Sequence, residues 1–357
     1  MISIIGAGPV GCFLGSLLAE QGKDVSIYEE HAVIGKPMQC TGIVTKELAG
    51  ILPVKKDLII NRLNTVRVHS YNNHTDIKVN EFVLDRIKFD QYLADLAVKN
   101  GAKLFLSHKV VGIKKDILTV KNKGNIKKVK SEVIIGADGP DSIVSKRIDN
   151  VKPEYYLGLQ ARVRGNFNPA AYEAYFGSIC PDFFAWIVPE SKTIARIGLA
   201  SKNNTNVYFD KFLKKLKIKN IINKQAGLIP MYNKKIRVQK ENMYLVGDAA
   251  AQVKATTGGG LVFGLKAAKI LAGCIINKED YGKNLKKINR ELYLHLLMRR
   301  ILNRFKDKDY SSLIRLVDNK KIQNTLKNSN REYPLKLMFK LLLNEPKFLL
   351  FAKKILF

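Results

Sequence analysis

Ser3-Ile4-Ile5-Gly6-Ala7-Gly8-Pro9-Val10-Gly11 reads as a buried strand running into a glycine-rich turn. Apolar Phe13, Leu14, Leu17 and Leu18 then recur at helical spacing, Gly22 stops the helix, and Val25-Ser26-Ile27-Tyr28 makes a second strand ending at Glu29. The unit is β-α-β with three fingerprint glycines. Gly6 permits the tight turn, Gly8 lets a pyrophosphate approach the backbone, and Gly11 lets the helix pack closely on the strand. Unpaired N–H groups and the positive end of the helix dipole, in the turn that holds Val10, then face the phosphates. Glu29 can accept from both ribose hydroxyls and would repel a 2′-phosphate, so the site suits FAD or NAD rather than NADP.

The chain around this unit has 357 residues, 46% hydrophobic and 26% charged. A folded monomer of this size buries roughly three quarters of its unfolded surface, enough for two domains or one elaborated one. Collagen, coiled coil and wholesale disorder are excluded by the composition. Cys12, Cys40, Cys180 and Cys274 are too irregularly spaced for a zinc site or a disulfide framework, so a reduced, cytoplasmic setting is expected. No basic-then-apolar leader precedes the first strand, which predicts no secretory signal. No window offers the ~20 apolar residues of a bilayer-spanning helix. The histidines show no metal spacing, and no metal is expected.

Sixty-one Lys and Arg against 31 Asp and Glu give a net charge of +30, which draws a chain toward nucleic acid, anionic lipid or acidic substrates. Residues 277–357 hold 20 basic and 8 acidic side chains, so much of the surplus sits at the C-terminal end. No helix-turn-helix, RNP-like run or basic/aromatic interleaving accompanies it, and nucleic acid is not an expected partner.

Two later segments narrow the cofactor to FAD. Ser131-Glu132-Val133-Ile134-Ile135-Gly136-Ala137-Asp138-Gly139 is a strand ending in Gly-Ala-Asp-Gly. Met243-Tyr244-Leu245-Val246-Gly247-Asp248-Ala249-Ala250 is a strand entering Gly-Asp, and the turn Thr257-Gly258-Gly259-Gly260 then opens an apolar helix from Leu261 to Ile276. A carboxylate at a strand end can hold a polyol hydroxyl, and glycines leave backbone N–H groups open to an anion. In this order the three motifs resemble the flavin monooxygenase and reductase family of the p-hydroxybenzoate-hydroxylase fold, over residues 1 to about 275. That resemblance implies that Asp248 binds the ribityl chain, that Gly260 and Leu261 contact the isoalloxazine, and that Asp138 supports the fold around FAD. It also implies that Arg86, at a helix start after Leu84-Asp85, reaches the diphosphate. Lys103 to Val111 reads as a strand whose end, near Val110, would lie over the adenine.

The expected fold is α/β: a Rossmann-like FAD-binding domain interleaved with a mostly antiparallel β-sheet substrate domain, plus a helical C-terminal part. Residues 1–60, 85–150 and 240–275 are expected in the first and 61–84 and 151–239 in the second, where 155–163, 172–176 and 193–199 alternate as strands. Residues 277–357 are expected as the third part.

Further segments point within the family. Gly35-Lys36-Pro37-Met38-Gln39-Cys40-Thr41-Gly42 is similar to the Gln-Cys-x-Gly segment of geranylgeranyl reductases, and Phe184-Ala185-Trp186-Ile187-Val188-Pro189 to their Tyr-x-Trp-x-Phe-Pro segment. Lys254-Ala255-Thr256-Thr257-Gly258-Gly259-Gly260 resembles the glycine turn of archaeal members. Phe184 for Tyr and Val188 for Phe keep an apolar wall and remove a hydroxyl. Hydroxylases carry Pro and Asn where Ala255 and Val262 stand, and halogenases carry a Trp-x-Trp segment that a chain with one tryptophan lacks. The resemblance is therefore to the geranylgeranyl reductase family, above all the archaeal digeranylgeranylglycerophospholipid reductases. It implies saturation of C=C bonds in the prenyl chains of membrane lipids, with hydride from reduced FAD plus a proton. The alternative is a flavin monooxygenase of an aromatic or polycyclic substrate.

Cys40, Thr41 and Gly42 are expected beside the flavin, with Cys40 shaping the pocket or donating the proton. Trp186, between Phe184 and Val188, is expected to offer an aromatic face to a cation-like carbon. The electron donor, NAD(P)H or a ferredoxin-like protein, stays open. Residues 334–343 and 347–357 read as two short Leu/Phe/Lys-rich helices, which either dock on an anionic membrane from its inner face or pack on the substrate domain.

Overall fold

The computed structural model describes residues 1–352. The chain divides into two compact units, each gathered from three stretches. Met1–Met38, Arg86–Glu154 and Ile229–Tyr293 form the first, and Gln39–Asp85, Tyr155–Leu228 and the described residues from Leu294 form the second.

The first unit is a Rossmann-like layer. Its sheet runs in the order Gln239–Lys240, Met243–Leu245, Val133–Gly136, Ile2–Ile5, Val25–Tyr28, Lys103–Phe105, parallel throughout except at the first, edge strand. Ile2–Ile5 and Val25–Tyr28 are buried at every position, Ser3 and Ser26 included, as strands of a parallel sheet covered on both faces are. Helix Pro9–Glu20 starts on a proline whose missing N–H would have had no intrahelical partner. It packs on the helices Arg86–Lys99 and Leu261–Asn277.

The strand expected over 103–111 is two strands. Lys103–Phe105 closes the parallel sheet, and Lys109–Lys114 opens a three-stranded meander with Ile117–Asn122 and Asn125–Lys130. Ser107 between them takes φ 57°, a left-handed backbone that a continuous strand excludes. The Val110 side chain is buried in a core with Leu118, Ile134 and Val144.

The second unit holds an eight-stranded sheet, in the order Asn220–Pro230, Tyr155–Arg164, Ile194–Ser201, Phe184–Pro189, Ala171–Tyr175, Ile59–His69, His74–Leu84, Ile43–Thr45. Pairing is antiparallel from Tyr155–Arg164 to Ala171–Tyr175 and from Ile59–His69 to Ile43–Thr45, and parallel where those two runs meet. Residues 39–60 belong here and not with the dinucleotide-binding unit, because Ile43–Thr45 pairs with the end of His74–Leu84.

The C-terminal helices do not form a third unit. From Leu294 they join the second, where Asp307–Val317 and Lys320–Lys327 pack on strand His74–Leu84. Polar side chains fasten them: Thr75 Oγ1 donates to Asp318 at 2.7 Å, Thr45 Oγ1 to buried Glu332 at 3.1 Å, and Arg331 Nη2 to Glu81 at 2.8 Å. Of the two terminal helices expected, the first is Pro334–Asn344. The second shortens to a turn at Pro346–Phe348 and Leu349–Ala352, and its residues 353–357 lie outside the described residues. Among the described residues no helix is long and apolar enough to cross a membrane.

Candidate active site

The three glycine-bearing motifs converge in the first unit. Gly6, Glu29, Ala137-Asp138 and Gly247-Asp248 all lie just beyond C-terminal ends of parallel strands, the edge where open α/β sheets bind ligands. Backbones meet too closely there for side chains. A Cβ on Gly6 would stand 2.4 Å from the Ala137 carbonyl oxygen, and one on Gly11 2.1 Å from that of Gly6. Val10 packs against Gly247, and a Cβ on Gly264 would meet Val10 Cγ2 at 2.7 Å, so the fingerprint helix touches the Gly-Asp turn.

Gly8 is the exception. It caps helix Pro9–Glu20 with φ −66° and ψ 174°, a backbone any residue adopts, and a Cβ there would meet nothing within 4 Å. The glycine keeps open the space before the helix's first N–H groups, and that space fits an anionic diphosphate.

Glu29 braces the same turn. Its Oε2 accepts from the Ala7 N–H at 2.9 Å and its Oε1 from the His31 N–H at 2.9 Å, with His31 Nδ1 2.6 Å away. A carboxylate has about four acceptor positions, so a ribose hydroxyl still fits.

Asp248 sits in the turn Gly247–Ala250, which Gln252 pins by accepting from the Gly247 N–H at 2.7 Å. Desolvation pushes the Asp248 carboxyl up to about 6, against the pull of the Arg86 guanidinium. A Cβ on Gly260 would stand 2.7 Å from Asp248 Oδ1, so this glycine leaves the carboxylate uncovered as helix Leu261–Asn277 begins. Half-buried Leu261 is the first residue of that helix. A desolvated acceptor at the end of a glycine turn is what a polyol hydroxyl requires.

Two of the expected cofactor residues are engaged within the chain. Arg86 Nε and Nη2 donate to Asp90 Oδ1 and Oδ2, both at 3.0 Å, one turn along its own helix. Asp138 Oδ2 accepts from the Ile143 N–H at 2.8 Å and closes the turn into helix Ile143–Arg147, while its Oδ1 is buried without a partner among the described residues. Desolvation raises the Asp138 carboxyl to about 6, with the Ser142 hydroxyl and the Ile143 N–H opposing.

The second unit gathers the remaining residues on one face of its sheet. Gln160, Gly198 and Trp186 stand side by side on three neighbouring strands, and Arg162, Arg196 and Val188 form the next row on the same face. Gly198 is small because the indole covers it: a Cβ would lie 2.7 Å from Trp186 Cε2 and 2.5 Å from the Leu159 carbonyl oxygen. Phe184 meets Trp186 edge to face with centroids 5.7 Å apart, and Val188 is fully buried. Trp186 Nε1 donates to Gln160 Oε1 at 3.0 Å.

Gln160 and Arg196 tie that wall to the Gln-Cys-Thr-Gly segment. Arg196 Nη1 donates to the carbonyls of Cys40 at 3.1 Å and Thr41 at 2.8 Å, and Gln160 Nε2 reaches the Cys40 carbonyl at 3.5 Å. Cys40 Sγ accepts from the Gly42 N–H at 3.3 Å. Gly42 takes φ +79°, and a Cβ on it would fall 2.7 Å from the Leu84 carbonyl oxygen and 2.9 Å from Arg196 Nη1. Buried Arg196 is neutralised by Glu190, which Arg162 also meets. Burial works against the Glu190 charge, yet the two guanidinium groups hold its carboxyl below the usual range.

Cys40, Phe184, Trp186 and Val188 were legible as candidates, whereas Gln160, Arg196 and Glu190 were not singled out. The available signal was a lone arginine inside the apolar run Ile194-Ala195-Arg196-Ile197, since a charge on the buried face of a strand needs a partner.

A family model described as an NAD(P)-binding Rossmann-like domain matches residues 4–49. The chain is 30% identical over 315 residues to digeranylgeranylglycerophospholipid reductase 2 of Methanosphaera stadtmanae, covering 79% of this chain and 80% of that one. It is 27% identical to reductase 1 of the same organism, over 95% of this chain and 93% of the relative. Among solved structures, a geranylgeranyl bacteriochlorophyll reductase-like protein from Thermoplasma acidophilum superimposes with a TM-score of 0.82 at 22% identity, covering 97% of this chain and 96% of the other.

Proposed function

Because the chain belongs to the digeranylgeranylglycerophospholipid reductase family, we propose that it is an FAD-dependent reductase saturating carbon–carbon double bonds in the geranylgeranyl chains of membrane lipids. The observation that carries this reading is the Phe184–Trp186 wall and its tie through Gln160 to the Cys40 carbonyl. An isolated trisubstituted alkene accepts hydride poorly, so its reduction calls for an apolar surface that tolerates positive character on carbon. Aromatic faces provide this by cation–π attraction, worth ~2 kcal/mol when desolvated.

Reduced FAD, when bound, supplies the hydride. The chain's own residues do the rest. The Gly6–Gly11 turn and the start of helix Pro9–Glu20 would hold the diphosphate, Glu29 the ribose and Asp248 the ribityl hydroxyls, with Gly260 and Leu261 left for the ring. Arg86, fixed by Asp90, adds positive charge near Asp248. We assign to the Cys40 thiol, held by the Gly42 N–H, the proton for the carbon that hydride does not reach. The external reductant is NAD(P)H or a ferredoxin-like protein, and the enzyme meets its substrate at the cytoplasmic surface of the membrane.

Anaerobic incubation of the purified protein with FAD, dithionite and a geranylgeranyl-lipid extract tests the reading. Products heavier by multiples of two hydrogens are expected. Unchanged masses with flavin bound and reduced would reject it.

Asp248 adds a pH dependence. Its folded pKa of about 6 lies above the ~3.9 of an unfolded aspartate, so the folded chain holds an extra proton between those values. Stability from this group is greatest below the unfolded pKa and is lost as pH rises through the folded one. Flavin binding runs the other way, since an ionised carboxylate is the stronger acceptor for a hydroxyl. Fluorescence titrations should therefore show FAD affinity rising through about pH 6 and levelling above it. Asp248→Asn should bind more weakly and without that step, and an Asn variant with the same step would assign the titration elsewhere.

A further inference from the structure

We propose that helix Pro334–Asn344 is an in-plane anchor that docks the protein on an anionic lipid bilayer; this rests on the lipid-reductase reading and names the face that meets the membrane. Leu335, Phe339 and Leu343 recur every four residues along the helix and are 46%, 63% and 67% exposed. Leu349 and Leu350, just beyond it, are 54% and 59% exposed. No other stretch of the described chain shows as many large apolar side chains to solvent in so short a span.

Spacing of four keeps the first three on one stripe. The helix has 11 residues, so at 1.5 Å each it is about 16 Å long, too short to span a bilayer and long enough to lie within its interface. It also packs on helix Lys320–Lys327, where Asn344 Nδ2 donates to Thr325 Oγ1 at 2.9 Å.

The charges decide the occupant. Residues 319–351 contain seven basic and two acidic side chains, and of the seven Arg331 is spent on Glu81. Of the two acids, Glu332 is 1% exposed and Glu345 accepts from the Lys347 N–H. Lys336 and Lys340 flank the stripe and Lys347 follows it. A second copy would press two positive surfaces together, and a neutral bilayer would leave the lysines without counter-charges. An anionic bilayer satisfies both features: Leu and Phe enter the acyl boundary while the lysine stems reach to the headgroup phosphates.

Co-sedimentation of the full-length holoprotein with phosphatidylglycerol-containing vesicles tests this. Binding is expected at low salt, and about tenfold weaker binding is expected in high salt or with pure phosphatidylcholine vesicles. The double variant Phe339→Ser, Leu343→Ser should bind at least about tenfold more weakly. Its FAD content, melting temperature and turnover of detergent-dispersed lipid should match wild type, because both side chains face solvent. Undiminished binding by the variant, or equal binding to neutral vesicles, overturns the proposal. So does a wild-type protein that ignores vesicles and forms a dimer or an acidic-protein complex that the variant loses. Intact vesicle binding with no turnover of dispersed lipid would count against the reductase reading and leave the docking face standing.

Discussion

Gly8→Ala is expected to lower FAD affinity at least about tenfold while leaving the melting temperature of the flavin-free protein unlowered or slightly raised, and Gly11→Ala to lose both. The two glycines lie three residues apart in one turn, and the structure treats them oppositely. A methyl group on Gly11 would be driven to 2.1 Å from the Gly6 carbonyl oxygen, a backbone atom that cannot step aside without opening the turn. A methyl group on Gly8 meets nothing within 4 Å, and its backbone angles suit alanine. Only something the chain binds can object to it. Replacing glycine also restricts the unfolded chain, worth about 0.4–1 kcal/mol in favour of the variant where the backbone is compatible. Melting with and without FAD, beside a fluorescence titration, reads both effects. A Gly8→Ala protein with wild-type affinity would mean that no pyrophosphate lies against this turn.

Trp186→Ala is expected to remove about 3–5 kcal/mol of stability, because the side chain is 8% exposed and its loss leaves a cavity over Gly198. That result would not separate packing from catalysis. Trp186→Phe does, since it keeps much of the apolar volume and removes the N–H donated to Gln160. The Phe variant should retain FAD and most of its stability while prenyl turnover falls more than tenfold, because Gln160, which reaches the Cys40 carbonyl, loses a partner. Turnover that tracks the folded fraction in both variants would reduce Trp186 to a core residue.

Local chemistry was legible in the order of residues alone. Apolar strands, helical spacing and glycine placement marked the β-α-β unit, the Gly-Asp turn and the Leu261–Asn277 helix, because each depends on residues within one strand–turn–helix. Cys40 and Trp186 stand out as candidates in short motifs for the same reason. Whatever depends on pairing across long separations waited for the folded chain. Ile43–Thr45 drew residues 39–60 into the second unit by pairing with a strand some forty residues later. Thr45 and Glu81 held the C-terminal helices through Glu332 and Arg331, about 250 residues or more away. Gln160 and Arg196 became the supports of Cys40 only when the sheet set their rows side by side. Hydrophobic period reports which face of an element is buried, whereas a polar residue's role depends on the partner that satisfies it, and the fold alone brings that partner near.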